Sequence, residues 1–195
     1  MITKKSPEEI EILREAGSIL ATILKELGDA CVPGITTLHL DDLAMELAEK
    51  HNVEPVLLGY HPGFADRPYP AAVCVSVNNC VQHGIPSEEV VLHEGDVVNI
   101  DMSIAHKDMF VDSGHTVGVG EIDAENRKLL DVTREALAHG IKSAQPGAHI
   151  GDISHAVQTF VESRGFSVVE VLCGHGVGYA VHEDPNIPNC GKAGT

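Results

Sequence analysis

Two periodicities of apolar residues take turns along this chain. Ser6-Pro7-Glu8-Glu9 has the form of a helix start, a serine cap with a glutamate three residues on and proline at the first helical position. Ile10, Leu13, Leu20, Leu24 and Leu27 then recur at helical spacing and predict a first helix ending near Gly28. Beyond Val32-Pro33-Gly34 a second helix is predicted, with Leu40, Leu43, Leu47 and the small Ala44 and Ala48 on one side. The period then shortens to that of strands over residues 56–60, 73–77 and 97–104, the last continuing through a hairpin into 110–119. Residues 61–70, with Pro62, Pro68 and Pro70, are predicted to be a loop.

The helical period returns over 125–144, with Leu129, Leu130, Ala136, Leu137 and Ile141 expected inward. After Gln145-Pro146-Gly147 a further helix is predicted to about residue 164, with Ile153, Val157, Phe160 and Val161 inward, and then a strand over 166–172. Laid with Pro33 over Pro146, the two halves share the Pro-Gly opening and the apolar phase, the mark of an internally duplicated helix-helix-strand unit. The expectation is one α/β domain over 1–195, with halves at about 1–120 and 121–195. Thr195 falls over Gln82 of the first half, so the second half is expected to be truncated, lacking its C-terminal strands and the counterpart of the 97–119 hairpin.

That hairpin carries Asp101 and Asp112. A reversal at His106 and Lys107 sets the two directly opposite each other on one face, where Cβ atoms stand roughly 4.5–5.5 Å apart. Two such charges at an effective dielectric near 20 repel by about 3 kcal/mol. A bound cation reverses the sign, and hard divalent ions prefer carboxylate oxygen. Two ions about 3.5–4 Å apart form a hydrolytic site. The competing reading is an acidic, solvent-facing edge hairpin.

A chain of 195 residues with 43% hydrophobic content has enough apolar surface to bury a core. Its formal charge of −16, with only 13 Lys and Arg, excludes a general nucleic-acid or anionic-membrane surface and points away from polyanionic substrates. No apolar run approaches the ~18–20 residues of a membrane span. Lys4-Lys5 leads into Ser-Pro-Glu-Glu rather than a signal-peptide core, so a cytoplasmic protein is expected. Cys31, Cys74, Cys80, Cys173 and Cys190 are widely spaced without a C-x-x-C pair, which disfavours both disulfides and a thiolate zinc site.

Three histidines stand in turn-like contexts. Cys173-Gly174-His175-Gly176-Val177-Gly178 is expected to follow a strand, and its glycines let backbone approach a ligand, making His175 a candidate metal ligand or else a surface-loop histidine. His182 lies beside Glu183 and Asp184, which can orient or charge it, and His83 in Gln-His-Gly-Ile-Pro faces either a cleft or water. The glycine run is not a phosphate loop, because Val181-His182-Glu183-Asp184-Pro185 follows it in place of a helix. A thiol nucleophile at Cys173 is also disfavoured, and a structural cysteine is expected there.

Taken together, Asn78-Asn79-Cys80-Val81-Gln82-His83-Gly84-Ile85-Pro86, Val98-Asn99-Ile100-Asp101-Met102, Phe110-Val111-Asp112-Ser113 and the His175 run with His182-Glu183-Asp184-Pro185 resemble the bacterial type I methionine aminopeptidases, from about Ile2 to Thr195. The resemblance implies the pita-bread fold, two pseudo-symmetric halves around a centre of two divalent metal ions drawn from Co, Mn, Fe, Zn or Ni. It implies that Asp101 binds one ion, Asp112 bridges both and His175 is a ligand, with two glutamate ligands beyond this sequence, one of them the general base. The fragment is therefore expected to be inactive as it stands. By the same resemblance His83 and His182 are the catalytic substrate contacts, His83 near the scissile amide and His182 at its carbonyl oxygen, and Tyr60 belongs to the methionine pocket. The implied reaction is removal of the initiator methionine from N-terminal methionyl peptides of nascent proteins, at the ribosome, by a metal-activated water in a monomeric enzyme. This sequence departs from the family pattern at Leu57, where a cysteine is common, at Val181, where phenylalanine is common, and in a longer 61–70 loop. A proline-specific aminopeptidase or a non-catalytic binding module of the same fold are the alternatives.

Overall fold

The computed structural model describes residues 2–63 and 65–195; Phe64, inside the predicted 61–70 loop, lies outside the described residues. The chain divides into two compact units, one of residues 4–123 with 177–181, the other of 124–176 and 182–195 with the N-terminal residues.

In the larger unit the N-terminal signal is realised as read. Ser6 Oγ accepts from the Glu9 amide at 3.2 Å while Glu9 Oε2 accepts from the Ser6 amide at 2.7 Å, starting α1 (Pro7–Asp29). Thr36 caps α2 (Thr37–His51), accepting from the His39 amide at 3.2 Å, and Asn52 closes it in the left-handed conformation. The strands are β1 (Glu54–Pro55), β2 (Cys74–Val77), β3 (Val97–His106) and β4 (Met109–Gly118). β3 is central: β4 pairs along its whole length on one side, while β2 and β1 share the other end to end, all antiparallel. Val98, Ile100, Met102 and Ile104 of β3 are fully buried and join Leu20, Ile23, Leu27 and Leu40 of the helices in the core. The alternate residues of β3 are thereby committed to the opposite face of the sheet.

Two strand expectations need correction here. The reversal falls at Lys107 and Asp108, both with positive φ (49° and 64°), a two-residue hairpin turn. The register therefore pairs Asp101 with Gly114 and Ser103 with Asp112 rather than Asp101 with Asp112. The shift of two residues leaves both aspartates on one face as diagonal neighbours. Residues 56–60 are a turn and not a strand, because β1 and β2 occupy the same edge of β3. After Pro55 pairs with Ile104, Cys74 already holds Asp101, so the chain must leave the sheet. The excursion over 61–68 is closed at its base by Tyr69 N–H to Tyr60 O and Gly59 N–H to Tyr69 O, both 2.8 Å.

The second unit repeats the order with α3 (Ala124–Ser143), α4 (Ile150–Ser163) and a two-stranded sheet of β5 (Cys173–Gly176) and β6 (Glu183–Pro188). Gly34 and Gly147, equivalent under the duplication, both carry positive φ (95° and 89°), so the shared Pro-Gly signal builds the same entry to α2 and α4. On α3 the buried stripe is Val132, Ala136 and Gly140, and a side chain at Gly140 would meet Val157 of α4. Leu137 and Ile141, expected inward, are 63% and 64% exposed, because α4 packs on the small-residue stripe instead. The expected strand over 166–172 joins no ladder among the described residues; Leu172 N–H turns back to Val169 O, and Val171 is 90% exposed. The five cysteines are free, with Cys31 and Cys74 buried. No helix of the described residues is long and apolar enough to cross a membrane.

Candidate functional site

The face of the sheet turned away from the helices carries polar residues in rows across three strands. Ser76, Asn99 and Thr116 form one row, and Cys74, Asp101 and Gly114 the next. Ser103 and Asp112 follow on β3 and β4. Each row is dictated by the two-residue period of its strand, since Ile100 and Met102 must point into the core.

Within these rows the side chains hold one another. Ser103 Oγ, buried, donates to Asp112 Oδ1 at 2.7 Å, and Asn99 Nδ2 donates to Thr116 Oγ1 at 2.9 Å. Gly114 places no side chain across from Asp101, leaving that position to the carboxylate. Asp101 and Asp112 stand diagonally, a relationship that separates side-chain origins by roughly 7–8 Å and lowers the repulsion to about 2 kcal/mol before solvent screening. Both aspartates are half-buried. Two acceptor-only groups on one face, spaced wider than a direct pair, suit a cation between them, and the donor set fits the oxygen preference of divalent ions.

Cys74, opposite Asp101, feels this charge. Burial, followed by the Asp101 and Asp112 charges, pushes its thiol up to about 12. Tyr69 is nearby; burial first, then Cys74 and the charges of Asp41 and Asp101, push its phenol up as well. Asp41, on α2, accepts from the Ala72 and Val73 amides at 2.8 and 3.2 Å and so fixes the start of β2, while burial raises its carboxyl above the ordinary range. None of Tyr69, Cys74, Ser76 and Ser103 was singled out by sequence reasoning. The signal for three of them was present, because the alternation that faces Asp101 outward puts Cys74, Ser76 and Ser103 on the same face.

His83 lies in the loop after β2, exposed, with positive φ (55°). Tyr60 is half-buried and ends the turn that replaces the expected strand. In the other unit His175 sits within β5, paired with Asn186, rather than on a turn after a strand. Its Nδ1 is 3.0 Å from Gly176 O, and a ring donating there carries its lone pair on Nε2, the form that ligates a metal. The rings of His175 and His182 lie 4.2 Å apart at an interplanar angle of 39°. His182 is exposed, just ahead of β6, and its neighbour Glu183 accepts from Thr3 Oγ1 at 3.1 Å. The glycine run leads into β6 and not into a helix, so the exclusion of a phosphate loop holds. Among the described residues no group of three or more His, Cys, Asp or Glu side chains is gathered closely enough to hold an ion.

Comparison with known proteins places these features. Residues 11–195 match the model of metallopeptidase family M24. The methionine aminopeptidase of Clostridium acetobutylicum is 43% identical over 194 residues, covering 100% of this chain and 75% of that protein. Methionine aminopeptidase 1 of Bacillus subtilis is 44% identical over 191 residues, covering 98% of this chain and 74% of its own length. Among solved structures, the methionine aminopeptidase of Thermotoga maritima superposes with a TM-score of 0.94 at 42% identity, covering 100% of this chain and 76% of that one. The fold is thus the pita-bread fold that the family resemblance implies. The chain belongs to metallopeptidase family M24.

Proposed function

We propose that this chain is a methionine aminopeptidase, in which Asp101, Asp112 and His175 are ligands of two divalent metal ions. The observation that carries the reading is the placement of Asp101 and Asp112 on one face of a single hairpin, in a chain 43% identical throughout to a methionine aminopeptidase. The ligand types suit Co, Mn, Fe, Zn or Ni, and chemistry alone does not select among them. When bound, such ions supply Lewis acidity toward the scissile carbonyl and activate water as the nucleophile.

The protein's own groups do the rest. Tyr60 lines the pocket for the methionine side chain, and His83 contacts the substrate near the scissile amide. His182 donates a hydrogen bond to the carbonyl oxygen, a bond that strengthens as negative charge develops there. Ser103 holds Asp112 in the rotamer that presents its other oxygen. The natural substrates are N-terminal methionyl peptides of nascent proteins, met at the ribosome in the cytoplasm by a monomeric enzyme.

As the full-length protein supplied with Co²⁺ or Mn²⁺, it is expected to release methionine from Met-Ala-Ser and to leave Ala-Ala-Ser intact. Cleavage of an Xaa-Pro peptide without methionine release would transfer the assignment to a proline-specific peptidase. Metal binding with no cleavage of either peptide would favour a binding module.

A further inference from the structure

Residues 177–181, the short strap between His175 and His182, fold with the larger unit, although both histidines belong to the other. Three attachments hold the strap. The Phe110 amide, two residues before Asp112 on β4, donates to Gly178 O at 2.7 Å. Tyr179 Oη donates to Glu9 Oε2 at 2.8 Å, the same oxygen that accepts from the Ser6 amide in the cap of α1. Lys5 Nζ lies 4.4 Å from the centre of the Tyr179 ring, and the end of its side chain fills the space that a side chain at Gly178 would need. Val181, the last residue of the strap and the chain neighbour of His182, is buried.

The attachments differ in what they ask of the sequence. The Phe110 bond runs from backbone to backbone, and any pair of residues can make it. The other two need an aromatic ring with a hydroxyl at position 179. Tyr179 is 46% exposed, so its ring contributes little to the core, and what its side chain does is grip Glu9 and Lys5. Glu9 is a firm anchor because it already closes the helix cap. The Ser6 amide first, and Tyr179 after it, hold its carboxyl below the ordinary value, so the hydroxyl meets a charged acceptor.

We propose that Tyr179 is a positioning residue: gripped by Glu9 and Lys5, it fixes the strap from which His182 extends, and so sets where the His182 imidazole meets the substrate carbonyl. This rests on the reading of His182 as a substrate contact. A hydrogen bond that strengthens as charge develops on that oxygen depends steeply on placement, so loosening the strap should lower kcat more than it raises KM.

The test is a double-mutant cycle on the metal-loaded full-length protein, assayed with Met-Ala-Ser. Tyr179→Phe, which keeps the ring over Lys5 and loses the bond to Glu9, is expected to lower kcat by about five- to tenfold with KM changed less than about twofold. Tyr179→Ala, which loses both grips, is expected to lower kcat further. In a His182→Ala background Tyr179→Phe is expected to change kcat less than about twofold. Equal losses in both backgrounds, or native kcat in Tyr179→Ala, would overturn the proposal. If His182→Ala alone leaves kcat unchanged, the substrate-contact reading fails and the proposal with it, a result distinct from equal losses. A spectroscopic readout is independent of turnover: in the full-length protein Tyr179→Phe should shift or broaden the imidazole C–H resonances of His182 and leave those of His155, on α4, in place. Unmoved His182 resonances would also overturn the proposal.

Discussion

Ser103 stands directly across the β3–β4 ladder from Asp112 and donates its hydroxyl to Oδ1 at 2.7 Å. A buried hydroxyl on a carboxylate is a charge-assisted bond, and it fixes one oxygen while orienting the other. Ser103→Ala is expected to cost about 1.5–3 kcal/mol of stability and to weaken divalent-ion binding by about tenfold. Urea unfolding and calorimetric titration with Co²⁺ measure the two effects separately; unaltered ion affinity would remove Ser103 from the site.

Asp101 and Asp112 crowd negative charge on one face, so the metal-free protein carries a repulsion that an ion bound at the proposed site would relieve. Asp101→Asn and Asp112→Asn are each expected to raise the metal-free melting temperature slightly, by about 1 kcal/mol of stability, and to abolish the rise that Co²⁺ or Mn²⁺ produces in the native protein. Thermal melts with and without ion distinguish this from a simple structural role, in which both curves would fall together.

The cysteines should separate cleanly by reactivity. Cys80 and Cys173 are exposed, whereas burial pushes the thiols of Cys31 and Cys74 up to about 11 and about 12. At pH 8 an alkylating reagent is expected to modify Cys80 and Cys173 in the folded protein and to spare Cys31 and Cys74, as read by peptide mass spectrometry. Divalent ion should leave Cys74 protected.

Asp152 accepts from the His149 and Gly194 amides, both at 2.8 Å, and these bonds hold its carboxyl below the ordinary carboxylate value. A depressed carboxylate contributes stability above its unfolded pKa, near 3.8, and loses it as pH falls through the lower folded value. The amide of Gly194 is therefore expected to be protected from exchange at pH 5 and progressively deprotected below pH 3.8. Asp152→Asn should show the low-pH behaviour at every pH, in a hydrogen-exchange series.

A methyl group at Gly84 has nowhere to go, because the Val75 carbonyl fills the space. Gly84→Ala is expected to destabilise the protein by about 2 kcal/mol or more, visible in the urea midpoint with little change in slope. Alanine at Gly17, where nothing lies within 4 Å, is the control and should be neutral or slightly stabilising.

The helices were legible because their signals are local. The capping box at Ser6, the apolar period of α1 and the paired Pro-Gly openings each act over a few neighbouring residues and meet no rival. The hairpin was legible in parity but not in register: an even shift keeps Asp101 and Asp112 on one face, and the turn was decided by the tolerance of Asp108 for a left-handed backbone. Residues 56–60 misled because their apolar content is strand-like, while the decision lay with Cys74, which takes the edge position that a longer β1 would need. On α3, Leu137 and Ile141 lost to Ala136 and Gly140, since close approach by α4 requires small residues and periodicity cannot choose between two apolar stripes. Asp101, Asp112 and His175 were proposed as ligands from motif and charge, whereas Tyr69 required knowing which loops are sewn together.

That stitch at the base of the 61–68 excursion, made by Gly59, Tyr60 and Tyr69, has an engineering corollary. What lies beyond the knot can lengthen or change composition while its two feet stay put, so the segment is a natural port for an epitope or a fluorescent reporter. A graft between Pro62 and Arg67 should leave the flanking tyrosines in place, and drift in this stretch among related proteins would carry little catalytic consequence.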